Sequence, residues 1–271
     1  MNVISNNVRL PYTQIKGSIQ ARRALVSRLN EQFFDSFVKL TENKKVRAND
    51  FKQVFLNLLP EKKNIEIKKI NIKENFSAAS DYIYNEKSEN IIGLTLELPF
   101  LSSKMGFEDL PTLMHENTHI LSTLVHPKHT ALTQKLNKAD KYKNSYNDWY
   151  QNVLYTDEKI TDDYTVEDMV FSVKEKTLHF LAGKSNRDKI DYLQDAKYQL
   201  EQEQEAFCEQ LKYAQKLKEL GLDVLEEDLI DGNKSFFFTE KIEVLNSILL
   251  DVLINVRKKN SLKIKAKLLK Q

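Results

Sequence analysis

The stretch LMHENTHILSTL, residues 113–124, organises the rest of the chain. Its centre, HENTH at residues 115–119, is an H-E-x-x-H pattern. Residues four apart on an α-helix lie one above the other, so His115 and His119 can present two imidazoles to one metal ion. Glu116 lies beside them, where a carboxylate can accept a proton from water activated by the metal. The pattern therefore predicts a metal-binding helix.

The residues around the pattern favour a buried helix. Apolar side chains recur there at helical spacing, namely Leu110, Leu113, Met114, Leu121 and Leu124. The preceding segment FEDLP, residues 107–111, is typical of a helix start, because acidic residues fall in the first turn and a proline comes early.

At residues 115–119 the chain resembles the zincin metallopeptidases. The resemblance rests on this short motif and on one distant glutamate. It implies a Zn²⁺ cofactor, with His115 and His119 as ligands and Glu116 as the general base of peptide hydrolysis. It also implies a small antiparallel sheet over the metal helix, whose edge strand pairs with an extended peptide substrate. A purely structural sheet is the alternative.

Three segments predict that sheet, because apolar and polar residues alternate in them: residues 65–72, 81–84 and 91–98. The chain of 271 residues has only 6 Gly and 5 Pro, so we expect long helices elsewhere. The predicted fold class is α+β and predominantly α-helical, zincin-like, with the small antiparallel sheet packed on the H-E-x-x-H helix and a helical C-terminal lobe.

We expect one catalytic domain over residues 1–271, in two lobes. The first lobe, residues 1–130, contains the N-terminal helices, the sheet and the H-E-x-x-H helix. The second, residues 131–271, is helical and carries the third metal ligand.

The third predicted ligand is Glu203. A long helix over residues 185–220 has an apolar stripe, Leu193, Ala196, Leu200, Phe207, Leu211 and Ala214, in which position 203 is the missing step. A carboxylate on an apolar face is costly unless it is paired or bound to a metal. Residues 203–206, EQEA, also resemble the E-x-x-A segment that carries the glutamate ligand in gluzincins. Glu201 and Glu205 should face solvent, and Glu205 is the next candidate.

His126 is an alternative third ligand. The metzincin branch of the zincins uses H-E-x-x-H-x-x-G-x-x-H, but here Val125 occupies the position of the third histidine and Ser122 that of the glycine. His126 comes one residue late, so His126 and His129 are interpreted as loop histidines near the rim of the site.

Further helices are predicted at residues 15–42, 49–59, 166–182 and 240–256, the last capped by Thr239. Residues 138–164 are polar and rich in tyrosine, as expected of a lid or of a loop anchored to the core. The residue that stabilises the oxyanion is left open among His126, His179 and the tyrosines of residues 142–164.

Composition restricts the partners. The net charge is +2, so nucleic acid is not expected as a partner, and the basic C-terminal end is interpreted as solvated charge. The single cysteine, Cys208, excludes an intrachain disulfide.

No apolar run has the length of a transmembrane segment and no secretory signal is recognisable, so we expect a cytoplasmic protein, with export by another route still possible. The oligomeric state is left open.

The predicted function is a zinc metalloendopeptidase, gluzincin-like, that acts on a peptide or protein substrate. Two alternatives remain. A zinc hydrolase of a non-peptide amide would bind zinc but cleave no peptide. A helical interaction protein with a chance or decayed H-E-x-x-H would bind no stoichiometric zinc.

Overall fold

The computed structural model describes residues 19–41, 46–47, 65–74, 79–85, 90–98, 104–105, 109–125, 132–133, 136, 143–156, 165–222, 224–225, 229 and 234–268. For the strands, for residues beyond 259 and for residues 19, 20, 22, 41, 124, 125, 143, 144, 234 and 235 it describes the backbone alone.

The described elements follow one another as a helix, a set of strands and then a succession of helices. In chain order they are α1 (Ile19–Thr41), β1 (Val46–Arg47), β2 (Ile65–Glu74), β3 (Ala79–Asn85), β4 (Asn90–Leu98), β5 (Lys104–Met105), α2 (Leu110–Val125), α3 (Lys143–Trp149) with a π-helical continuation (Tyr150–Leu154), α4 (Val166–Leu181), α5 (Asn186–Glu219) and α6 (Lys234–Leu268).

The predicted fold class, with a small antiparallel sheet packed on the H-E-x-x-H helix, is wrong. The part of the chain described with side chains is 91% helical, with six helices and no strand. The backbone of the strand segments forms a mixed ladder in the order β2-β4-β3, in which β2 pairs with β4 in parallel and β3 pairs with β4 antiparallel. Strand alternation specifies which residues share a face, but it does not specify the direction of the neighbouring strand.

The parallel pair explains this topology. Antiparallel strands can be joined by a tight turn, whereas parallel strands need a longer crossover. Here the connection from β2 to β4 contains β3, which pairs with β4 antiparallel, with Asn85 opposite Asn90. β1 and β5 form a separate antiparallel pair of two residues each.

The helices α1, α2, α4 and α5 lie where the sequence predicts them. Gly183 and Gly221 adopt φ angles of 73° and 75° just beyond α4 and α5, so their lack of a side chain permits both helix ends. Ser185 caps α5, since its Oγ accepts a hydrogen bond from the Asp188 amide at 3.2 Å. The helix predicted at residues 49–59 lies outside the described residues.

The last helix, α6, is longer than predicted and is not capped by Thr239. Thr239 lies within it, and its Oγ1 accepts a hydrogen bond from Gln204 Nε2 at 2.6 Å. The apolar stripe used for the prediction covers only the middle of α6. The first turns, KSFFFT, hold three consecutive phenylalanines, and the last turns are mostly basic, so neither flank continues the periodic pattern.

The chain divides into two compact units. The first comprises Met1–Pro127 and Ala206–Gly232, and the second comprises Lys128–Glu205 and Asn233–Gln271. The division falls inside α5, which is one continuous helix. A single catalytic domain over residues 1–271, with lobes at 1–130 and 131–271, stays a prediction.

In the first unit, aromatic and aliphatic side chains of α1, α2 and the C-terminal half of α5 form the core. Phe34 of α1 stacks on Tyr213 of α5, with ring centroids 4.7 Å apart. Val26 of α1 is buried with Leu121 of α2. Burial of this apolar surface is the main favourable term in holding these helices together.

In the second unit, the described part of the tyrosine-rich segment is helical and anchored. Tyr146, Trp149 and Tyr150 are all buried. Trp149 stacks on Phe180, with ring centroids 4.4 Å apart, and the Tyr146 hydroxyl donates to Asp195 Oδ2 at 2.5 Å. These residues therefore anchor the segment to the core, as the second of the two interpretations predicted.

A buried lysine closes the end of the π-helical segment. Lys241 is 2% exposed, and its Nζ donates to the carbonyl oxygens of Leu154 at 3.0 Å and Thr156 at 2.9 Å. The last carbonyls of a helix have no partner within the helix, so an ammonium group placed there satisfies them. Lys241 thus fixes the segment that carries Tyr150.

Lys241→Met should destabilise the protein by about 2 kcal/mol, because the variant keeps the apolar stem but leaves two backbone carbonyls without a charged donor. Lys258→Met, at an exposed position of the same helix, should change stability by less than about 0.5 kcal/mol. The measurement is urea unfolding followed by circular dichroism. Equal midpoints for the two variants would contradict the assigned role.

Candidate metal centre

The helix α2 buries an unusual number of polar side chains. Of the twelve buried polar or charged residues in the described chain, six lie on this helix: His115, Glu116, Asn117, Thr118, Ser122 and Thr123. Burying a polar group costs free energy unless a partner compensates for the lost water. A concentration of such groups on one helix therefore marks it as a candidate functional element.

The two histidines of the motif converge as the i, i+4 spacing predicts. Their Nε2 atoms are 3.1 Å apart, and their ring planes meet at 71°. His115 is 8% exposed, whereas His119 is partly exposed. The pair thus directs two nitrogen lone-pair positions toward one point from a largely buried wall.

Glu203 completes a group of three donors. One ligand atom each from His115, His119 and Glu203 can be chosen so that all three lie within 4.8 Å of one another. Leu200 and Phe207, the predicted neighbours of Glu203 on the stripe, are buried. Glu203 itself is half-buried, like Glu201 and Glu205, so it is its place in the three-donor group that distinguishes it from them.

Phe207 forms part of the wall beside the histidines. Its ring lies edge-on to that of His115, with centroids 4.5 Å apart. Since Phe207 follows Glu203 by one turn on α5, both residues lie on the same side of that helix. An aromatic wall excludes water on one side of the imidazole.

The expected solvent exposure of the neighbouring glutamates is wrong. Glu201 and Glu205 are both only partly exposed. Glu201 pairs with Lys197, with Nζ and Oε1 3.5 Å apart. Residues 201–205 are all half-buried, whichever way they face. The periodic pattern therefore identified the most buried face of α5 but overstated the solvent exposure of its other faces.

The donor set fits a metal ion. Tetrahedral zinc with bonds of about 2.0–2.1 Å would hold its ligand atoms roughly 3.3 Å apart. The separation of the two nitrogens is close to that value, and the full group lies within 4.8 Å. A shift of at most about 1.5 Å, within the range of side-chain rotation, would close the group around an ion. Two imidazoles and a carboxylate suit several divalent transition metals.

Tyr150 lies in the electrostatic environment of Glu203. Burial raises the pKa of the Tyr150 phenol well above its usual value, and the charge of Glu203 raises this pKa further. The phenol therefore keeps its proton at neutral pH and can act as a hydrogen-bond donor. The sequence placed Tyr150 among several unranked tyrosines and did not single it out.

The remaining histidines and two of the candidate tyrosines lie either outside the described part of the chain or on its surface. His126 and His129 lie outside the described residues, and so do Tyr142 and Tyr164. His179 is exposed on α4. Of these, only His179 can be placed, and its exposure supports no role in a buried centre.

Two polar residues next to the motif were missed by the sequence analysis. Asn30 of α1 is fully buried, and Glu209 of α5 is 8% exposed. Asn30 Nδ2 donates to Glu209 Oε2 at 3.2 Å and to Thr118 Oγ1 at 2.8 Å. A signal was present, because Val26, Asn30 and Phe33 follow helical spacing and Asn30 interrupts that stripe as Glu203 interrupts its own. Beside them on α5, Cys208 is a free and exposed thiol.

Comparison of the chain with protein-family models, curated proteins and solved structures gave no significant match. Among the described helices, none combines the length and apolar character needed to cross a bilayer. Function must therefore be inferred from the chemistry of the site itself.

Metal-free protein should take up about one equivalent of Co²⁺ or Zn²⁺ through the three-donor group. Glu203→Ala should weaken binding more than about 100-fold, because loss of a direct ligand exceeds the roughly 10- to 100-fold effect of outer-shell partners. Isothermal titration calorimetry measures both affinities.

Glu205→Ala is the matched control, since Glu205 lies on the same helix but outside the three-donor group, and it should stay within about threefold of the wild type. His126→Ala tests the alternative third ligand and should likewise retain the metal. Normal affinity in Glu203→Ala, or loss of binding in His126→Ala instead, would overturn the ligand assignment.

Proposed function

We propose that this protein is a zinc-dependent metallopeptidase with His115, His119 and Glu203 as the metal ligands. The observation that carries the proposal is the convergence of two imidazoles and one carboxylate in an H-E-x-x-H context. Three protein ligands that leave further coordination positions open are typical of catalytic zinc, whereas structural zinc is usually enclosed by four. The paucity of cysteine in the chain also disfavours a structural zinc site.

A zinc ion held by these residues would supply Lewis acidity, which lowers the pKa of water toward neutrality and polarises a carbonyl group. The Glu116 carboxylate accepts one proton from the attacking water as the water oxygen bonds to the carbonyl carbon. The same carboxyl group then delivers this proton to the amide nitrogen as the C–N bond breaks. The products are a carboxylic acid and an amine, so Glu116 is unchanged at the end of the cycle.

The burial of Glu116 supports its role as the base. Its side chain is 5% exposed, and it adjoins His115 on α2. A buried carboxylate is shielded from bulk water, so it can exchange a proton with one held water molecule without losing the proton to solvent. For the oxyanion we favour Tyr150, since it is buried within the electrostatic influence of Glu203 and a phenol can donate a hydrogen bond.

A peptide or protein is the proposed substrate, and the proposed catalytic domain spans residues 1–271. The arrangement of ligands and base would also serve hydrolysis of a non-peptide amide, since both reactions break a C–N bond after addition of water to a carbonyl. The two substrate classes differ in which cleavage products appear, so the test has to identify products without assuming a substrate.

Glu116→Gln should keep the metal and the fold while peptide hydrolysis falls by a factor of about 100 to 10,000, because the amide cannot accept the proton. A proteome digest treated with wild-type or Glu116→Gln protein, followed by mass spectrometry of new N-termini, measures this. Wild type should generate new termini that the variant does not.

Metal content and circular dichroism of both proteins provide the controls. A Glu116→Gln variant that cleaves at the wild-type rate would show that Glu116 is not the general base. A wild-type protein that binds zinc but generates no new termini would argue for a non-peptide amide. A wild-type protein that binds no zinc would contradict both hydrolase hypotheses and would favour the helical interaction protein.

A further inference from the structure

We propose that Asn30 is a positioning residue, which fixes the rotation of α2 so that His115 and His119 point at the metal position. The proposal rests on the proposed metal site, but its geometry lies entirely within α1, α2 and the C-terminal half of α5. The structural observation is that the two middle residues of the motif, Asn117 and Thr118, are held by one buried amide.

The amide of Asn30 is hydrogen-bonded at both ends. Its Nδ2 donates to Thr118 Oγ1 at 2.8 Å and to Glu209 Oε2 at 3.2 Å, and its Oδ1 accepts from Asn117 Nδ2 at 2.7 Å. Thr118 in turn donates to the Met114 carbonyl oxygen at 2.7 Å. Donors and acceptors alternate along this chain, so the amide of Asn30 has one favourable orientation.

Glu209 holds Asn30 in place. Its Oε1 accepts from Ser27 Oγ at 2.9 Å, while its Oε2 accepts from Asn30 and lies 3.6 Å from Lys212 Nζ. Lys212 Nζ also donates to Ser27 Oγ at 3.1 Å. Asn30 is therefore fixed by a charged group with several partners of its own. Since Glu209 and Glu203 both belong to α5, the network joins the helix of the two histidines to the helix of the third ligand.

The direction of these contacts makes them suited to setting the rotation of α2. With 100° per residue, Asn117 projects about 200° from His115, on the opposite side of the helix. Thr118 projects about 60° from His115, so the amide of Asn30 holds α2 at two points around its circumference, and the two contacts together resist rotation about the helix axis. The imidazole Nε2 lies on the order of 6 Å from that axis, so a 10° rotation would move it by roughly 1 Å. Metal–ligand distances tolerate only about 0.2 Å.

Asn30→Asp tests the proposal with a nearly isosteric change. The new carboxylate cannot donate to Thr118 or Glu209, and it faces the Glu209 carboxylate across the former hydrogen bond. Co²⁺ affinity, measured by titration of its visible absorption, should fall about 10- to 100-fold. The absorption bands of bound Co²⁺ should shift, because the coordination geometry changes. In metal-free protein, amide hydrogen exchange over residues 110–125 should accelerate.

The double variant Asn30→Asp with Glu209→Gln distinguishes positioning from general destabilisation. In it the amide introduced at position 209 can donate to the carboxylate introduced at position 30, and the Thr118 hydroxyl can turn from the Met114 carbonyl to donate to the same carboxylate. Both contacts are then restored in the reverse direction, with the total charge of the wild type. Co²⁺ affinity, the absorption bands and the exchange rates should return to within about threefold of wild type. Asn246→Asp, at an exposed position of α6, is the control and should change none of these.

Wild-type Co²⁺ affinity and spectrum in Asn30→Asp, or no recovery in the double variant, would overturn the proposal. If Asn30→Asp does not fold, Asn117→Ala takes its place, since it leaves Asn30 paired with Glu209 and should still weaken Co²⁺ binding. A wild-type protein that binds no Co²⁺ would refute the metal site alone. The metal-free exchange rates of the same variants then decide whether Asn30 orders α2, and unchanged rates would refute that role.

Discussion

The packing of the first unit depends on pairing the polar side chains that α2 buries. An unsatisfied buried polar group costs about 1–3 kcal/mol, whereas a whole domain is stable by only about 5–15 kcal/mol. Three or four such groups left without partners would therefore cancel most of the stability. The amide of Asn30 supplies hydrogen bonds to Asn117 and Thr118, while His115 and His119 of the same helix converge with Glu203. The stability of the first unit and the proposed metal chemistry thus both require that the buried polar side chains of α2 have partners.

Periodicity predicted the donor group because it depends on local rules. The i, i+4 spacing brings the two imidazoles together on any helix, and Glu203 stood out because it interrupts an apolar stripe between Leu200 and Phe207. Asn30 interrupts a stripe in the same way, but Leu29 offered a competing apolar register and concealed it. The identity of its partners could not be predicted, because Glu209 is 179 residues away in the chain and the contact depends on how the helices pack.

The fold was less predictable than the site. Helix ends followed from glycines at positive φ and from side-chain caps, which are properties of a few adjacent residues. The predicted antiparallel direction was wrong because β2 pairs with β4 in parallel. Strand pairing is non-local, and the alternation of residues within one strand does not encode it. The π-helical segment also carried no periodic signal. Its end is bonded by the ammonium of Lys241, which comes from another helix 87 residues beyond Leu154.

The free thiol of Cys208 gives the centre a natural reporter position. It is the only cysteine of the chain, it is exposed, and it follows directly after Phe207, whose ring touches His115. A spin label or fluorophore with maleimide chemistry would therefore attach at one place, on the solvent side of the helix that walls the histidines. Ordering of that wall by an ion would become visible as slower tumbling of the label, with every buried side chain left in its native form.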